Sequence, residues 1–217
     1  MKVCVIIPTH LEKLDGNNLK SFLQTLRVFK NRDIKVVIPD NINDDFFKQY
    51  NVEIIKVNHE WMSSYAMYNE MSCKMEFYEL FKDYDYILKC ETDAWVFEDR
   101  LDYFMGLGYD WYGAPWPHHR NAVGNSGLSL RKVSKMIELT TKYQYRRGDS
   151  FLGNEDTWFC LTHKNELNAC PLEVAVKFSL ECRIPLYKPM VDGIPMGFHG
   201  KESFIYWDSD GSKFRRI

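Results

Sequence analysis

Two short β-branched runs, each cut off by a proline, dictate how the chain begins. Residues 2–7 (KVCVII) end at Pro8, and residues 34–38 (IKVVI) end at Pro39-Asp40. Continuous apolar runs of this length suit strands covered on both faces, and proline stops them because it has no N–H for a sheet ladder. Between them Leu19, Phe22, Leu23 and Leu26 recur at helical spacing, after Asn17 and Asn18, either of which can cap a first turn. That is a strand-helix-strand unit. A third strand is expected over 52–57 (VEIIKV). A helix over 63–82 with apolar Tyr68, Met71, Met75 and Tyr78 follows, then a fourth strand over 84–90 (YDYILKC).

The alternation predicts an α/β fold with a mostly parallel sheet flanked by helices. Ligands on such sheets bind beyond the carboxyl ends of the strands. Three strand ends therefore become candidate site walls: Pro8-Thr9-His10, Asp40-Asn41 and Glu91-Thr92-Asp93. After residue 98 the pattern changes to a short helix (99–106), an aromatic strand (109–113), a Pro-Trp-Pro loop, a strand at 128–130, a helix (131–143) and a helix opening at Glu155-Asp156. At 217 residues, without repeats or linker-like tracts, the chain reads as a single domain. The change of pattern near residue 98 divides it into halves of about 1–98 and about 99–217.

Charge narrows the partners. With 28 Lys and Arg against 30 Asp and Glu, no broad field favours nucleic acid or an anionic membrane, so an anionic ligand must be held locally. The opening run is too short for a signal peptide or a membrane span. Six cysteines include no C-x-x-C pair, and Cys4 and Cys90 sit in apolar runs; a reducing, cytoplasmic setting without disulfides or a zinc site is expected.

No glycine-rich phosphate loop follows the first strand, which argues against a dinucleotide dehydrogenase or a P-loop kinase. If a nucleotide binds here, the cheapest alternative device for neutralising its phosphates is a divalent cation held by carboxylates. Glu91 and Asp93, two residues apart as the chain leaves a buried strand, point the same way if the extended backbone persists. Gly124-Asn125-Ser126-Gly127 offers close backbone approach and hydrogen bonds suited to a sugar. Glu155 and Asp156 stand at a helix start, where an acid facing a cleft can act as a base, and His199 lies in a glycine-flanked loop. Among the rings at 103, 104, 109, 111, 112 and 116, Trp116 between two prolines is the best sugar-facing platform, ahead of His118-His119-Arg120.

In this order the motifs resemble GT-A-fold glycosyltransferases, most closely a poorly characterised bacterial and viral family. The matching positions are Tyr68-Asn69 and Lys74; Tyr84 to Leu88; Glu91 and Asp93; Tyr109 to Trp116; Gly124 to Arg131; Glu155 to Phe159; and Phe178 to Glu181. They span about residues 62–200. Two positions depart from the pattern: Ser126 stands where the family has Gly, and Glu91 where it often has Gln.

The resemblance implies a metal-dependent, inverting glycosyltransferase that uses a nucleoside-diphosphate sugar and acts on a glycan or lipid-linked acceptor in surface-glycan assembly. Asp93 and His199 are the implied ligands of Mn²⁺ or Mg²⁺, with Glu91 on ribose or donor-sugar hydroxyls. Pro8, Thr9, Asp40, Lys74, Glu91, Thr92, Asp93, Asn125, Ser126 and Gly127 make up the implied nucleotide-sugar-binding set, and Trp116, His118 and His119 the acceptor side. Asp156, with Glu155 beside it, is the implied catalytic acid that takes the acceptor proton. A lipid-linked acceptor would bring the protein to the inner face of a membrane as a peripheral partner. The oligomeric state is left open. Two other readings compete: a non-catalytic glycan-binding domain of the same fold, and a sugar nucleotidyltransferase, whose basic glycine-rich loop is absent after the first strand.

Overall fold

In the computed structural model, which describes residues 1–120, 122–200 and 205, the predicted strand-helix alternation forms a six-stranded sheet. The elements are β1 (Val3–Pro8), α1 (Gly16–Val28), β2 (Asp33–Pro39), α2 (Asp45–Lys48), β3 (Glu53–Val57), α3 (Tyr65–Met71), α4 (Met75–Glu79), β4 (Tyr86–Cys90), β5 (Trp95–Val96), α5 (Leu101–Leu107) and β6 (Trp111–Tyr112). They continue with β7 (Pro115–Trp116), β8 (Ala122–Val123), β9 (Leu128–Lys132), α6 (Val133–Lys142), α7 (Glu155–Thr157), α8 (Leu172–Phe178), β10 (Ser179–Leu180), α9 (Ile184–Tyr187) and β11 (Gly197–Phe198).

The sheet order is β3-β2-β1-β4-β9-β6. The first four strands run parallel, and β9 is antiparallel to both of its neighbours. Every residue of β1 and β4 is buried, as expected for central strands with helices on both faces. Side chains alternate between the two faces: Cys4 and Ile6 join a core with Met71, Phe77, Trp111 and Phe159, while Val3 and Val5 face Phe29, Leu88 and Phe104. Most of the aromatic surplus is therefore core. A second sheet of three short strands, β10-β11-β5, sits where the chain leaves the main sheet.

Three local expectations are corrected. Asn17 and Asn18 do not cap α1; they lie in its first turn, and Asp15 occupies the cap. The helix expected over 63–82 is broken into α3 and α4 at Lys74, whose backbone is extended, and the Tyr78 hydroxyl donates to the Ser72 carbonyl at the end of α3. The aromatic strand is only two residues long, and just past it, at Gly113, the chain passes so close to the Asn125 backbone that a Cβ would lie 2.2 Å from the Asn125 carbonyl oxygen.

One helix face braces the end of β4. On α1, the Ser21 hydroxyl donates to the Ala94 carbonyl and Gln24 Nε2 donates to the Val96 carbonyl at 2.7 Å. These bonds pin the segment just after Glu91-Thr92-Asp93, the strand end to which the sequence points.

Candidate active site

The β4 strand carries Lys89 to its end and then turns. The Glu91 amide still donates to the Gly127 carbonyl at 2.8 Å, and the Ala94 amide donates back to the Glu91 carbonyl at 2.9 Å. The extended backbone therefore does not persist, and a tight turn, rather than strand alternation, brings the Glu91 and Asp93 carboxylates together. His199 arrives from the far end of the chain. Its strand β11 pairs antiparallel with β5 and parallel with β10, so the histidine emerges directly over the turn.

His199 Nε2 lies 3.1 Å from Asp93 Oδ1 and 3.4 Å from Glu91 Oε2. One ligand atom from each of these three residues falls within 4.8 Å of the others. Two carboxylates and an imidazole on one side of a cleft form a donor set that fits a divalent ion of the manganese type, whereas Mg²⁺ favours oxygen alone. Gly127 underlies this arrangement: a Cβ there would lie 2.0 Å from His199 Nε2, so the ring seats where a side chain would be. Burial works against a charged imidazole, but the Asp93, Glu181 and Glu91 carboxylates outweigh it and hold the ring well above the ordinary histidine range.

Beneath the turn lies a buried charge network built on Lys89, to which the sequence assigned no role. Lys89 Nζ is 2.8 Å from Glu91 Oε1 and 3.1 Å from Glu155 Oε1. Arg131 Nη2 is 3.2 Å from the same Glu155 oxygen. Tyr78 accepts from the Arg131 guanidinium, which lies over the Trp111 ring, and Tyr68 donates to Glu91 at 2.9 Å. A lysine inside the run YILKC was the available signal, because a charge in a buried strand requires a partner.

Glu155 and Asp156, adjacent in sequence, have opposite electrostatics. Burial disfavours ionised Glu155, but Lys89 and Arg131 override it and keep that carboxylate charged. Among the described residues no cation pairs with Asp156. Burial, followed by the neighbouring Glu155 charge, pushes its carboxyl up to about 7. The main-chain amide of Glu155 donates to Asn69 Oδ1 at 2.9 Å, which ties the start of α7 to α3.

Two cavities meet at Tyr65, Tyr68 and Glu91. The larger, about 460 Å³, is walled by Pro8, Thr9, Thr92 and Asp93. The smaller, about 270 Å³, takes in Trp116, His118, Asn125, Ser126, Asp156 and His199. Other named residues lie elsewhere. Asp40 pairs with His59 on the surface, and Lys74 pairs with Glu70 at 2.8 Å; neither is among the described residues that line these two cavities. His119 packs edge-on against Trp116 and Phe151 instead of lining the cleft. Trp116 is only 5% exposed, with its ring close against Gly124, so it forms a wall rather than an open platform. Ser126, the departure from the motif, accepts from Lys89 at 3.3 Å.

Among solved structures the chain is similar to mouse xyloside xylosyltransferase 1 in its apo form (TM-score 0.55, 10% identity, 92% of this chain and 98% of that one). It is similar to the galactosyltransferase LgtC with donor and acceptor sugar analogs (0.52, 11%, 90% and 86%). A third is the apo glycosyltransferase GlyE of Streptococcus pneumoniae TIGR4 (0.56, 14%, 92%), of which this chain spans 54%. These likenesses establish the architecture as the GT-A fold. No curated protein matches the chain by sequence. Residues 51–199, which carry Glu91, Asp93, Glu155, Asp156 and His199, match the family described as a protein of unknown function (DUF5672), and the chain belongs to that family.

Proposed function

We propose that this protein is a metal-dependent, inverting glycosyltransferase that moves a sugar from a nucleoside diphosphate to a hydroxyl of a glycan or lipid-linked glycan in surface-glycan assembly. The observation that carries the reading is the meeting of Glu91, Asp93 and His199 at the junction of two cavities, one of which contains Asp156 with its carboxyl poised near 7.

In this reading Glu91, Asp93 and His199 hold the ion, and Thr9 and its neighbours in the larger cavity receive the nucleotide. A bound divalent ion supplies positive charge that stabilises the departing diphosphate. Asp156 acts as general base. It takes the proton of the acceptor hydroxyl as that oxygen bonds to the anomeric carbon, and the bond to the diphosphate breaks on the opposite face. Glu155, held charged by Lys89 and Arg131, keeps the Asp156 carboxyl basic enough for the task. Asn125 and Ser126 in the smaller cavity orient the transferred sugar.

The test is release of sugar from a panel of nucleotide sugars with Mn²⁺. The wild type should turn over one of them, and Asp93→Ala should lose both donor binding and turnover. Donor binding that survives unchanged in Asp93→Ala sinks the metal assignment.

A further inference from the structure

We infer that Glu181 is the positioning residue of the metal centre: it aims His199 and ties that ligand to the Asn125 turn that receives the sugar. The inference rests on the metal reading of Glu91, Asp93 and His199, and it gives a role to the Phe178 to Glu181 motif.

The strands themselves create the juxtaposition. β10 and β11 run parallel, with Ser179 opposite Gly197 and Leu180 opposite Phe198. The His199 amide continues the ladder by donating to the Leu180 carbonyl at 2.9 Å. Glu181 and His199 are thus the first residues past two paired strand ends. Each carboxylate oxygen then has a distinct partner. Oε1 lies 3.0 Å from His199 Nδ1, and Oε2 accepts from Asn125 Nδ2 at 2.7 Å.

Asn125 closes a ring of contacts. Its Oδ1 accepts from the Gly127 amide at 3.2 Å, Gly127 is the residue on which the His199 imidazole is seated, and the Gly127 carbonyl accepts from Glu91. One carboxylate therefore braces a histidine ligand on one side and the turn beneath it on the other. With Glu181 taking the Nδ1 proton, Nε2 is the nitrogen that faces the Glu91 and Asp93 carboxylates, and a bound ion would displace the Nε2 proton there. Such outer carboxylates fix the tautomer and ring orientation of a ligating histidine, and their loss typically costs about 10–100-fold in metal affinity.

The experiment is titration of the purified chain with Mn²⁺ alone, following the free-ion signal by electron paramagnetic resonance, for wild type, Glu181→Gln and Glu181→Ala. Glutamine keeps the size but can accept only one of the two bonds. Glu181→Gln should bind Mn²⁺ about tenfold more weakly, within the range such carboxylates command, and Glu181→Ala more weakly still. The melting temperature of metal-free Glu181→Gln should stay within about 2 °C of wild type, an expected shift small enough to exclude unfolding as the cause. Wild-type affinity in Glu181→Gln overturns the inference and leaves the metal reading standing. A wild type that takes up no Mn²⁺ overturns both.

Discussion

Asp156 shows how far one side chain can be tuned by its surroundings. A rate that depends on its ionised form should rise with pH through a midpoint near 7 and then level off, because the base must first lose the proton that burial and the Glu155 charge make it keep. Asp156→Asn should lower transfer by roughly 10²–10⁴-fold and leave Mn²⁺ and donor binding intact. The same shift has a stability signature of opposite sense. Because the folded-state carboxyl is raised, its proton stabilises the fold below the ordinary aspartate range, and that contribution disappears as pH rises through about 7. Asp156→Asn should therefore melt higher than wild type at pH 8, by up to about 4 kcal/mol of stability, and show a smaller gain at pH 5. Calorimetry at both pH values checks this, and a gain that does not grow with pH contradicts the assigned environment. The identities of Glu155 and Asp156 were legible in the sequence, but the division between them was not. It depends on Lys89 and Arg131, which only the packed sheet brings to Glu155.

At the scale of elements, the small β10-β11-β5 sheet carries His199 and Glu181 to the end of β4. Its weak point is Gly197, where an added Cβ would lie 2.4 Å from the Trp95 carbonyl oxygen and 2.6 Å from Leu128 Cδ2. A backbone oxygen cannot step aside cheaply, so Gly197→Ala should cost about 1–3 kcal/mol in urea unfolding and weaken Mn²⁺ binding together with it. Gly127→Ala separates the two effects. Its Cβ would strike the His199 ring, which displaces the ligand, so Mn²⁺ affinity should fall at least about tenfold, the scale set by losing a ligand's support. Unchanged Mn²⁺ binding in Gly127→Ala would show that the ring does not depend on that seat. The strands of the main sheet were readable from their apolar runs. Of the two-residue strands only β6 was, from its aromatic run; β5, β7, β8, β10 and β11 were not, because they are held by long-range pairing rather than by local pattern.

For the whole molecule, two adjoining cavities at the carboxyl ends of β1 and β4 make ligand binding and stability one measurement. Mn²⁺ with the matching nucleoside diphosphate at about a hundred times its dissociation constant should add about 2.7 kcal/mol, a rise of roughly 5–10 °C in melting temperature for a chain of this size. Chelation with EDTA should abolish the rise. A screen of nucleoside diphosphates in which none gives a metal-dependent shift would contradict the proposed donor, and a response to free glycans alone would favour a binding module. Among the described residues no helix is long and apolar enough to cross a membrane.

The sequence by itself determined the parallel sheet, since β-branched runs ended by prolines and separated by helical spacing leave few other arrangements. It also determined that Glu91 and Asp93 leave the sheet at the carboxyl end of β4, the end at which open α/β sheets generally take their ligands. Only the tertiary structure decided that a turn, not an extended strand, joins those two acids, and that Asp40 and Lys74 stand apart from the cavities. It alone placed Glu181 behind His199, whose pairing with Asp93 the family resemblance had implied, and set a charged Glu155 beside an Asp156 whose carboxyl is raised to about 7. Each of these outcomes depends on burial and on partners distant in the chain. Local spacing specifies which face a residue takes, while the charge it carries is set by what the fold packs against it.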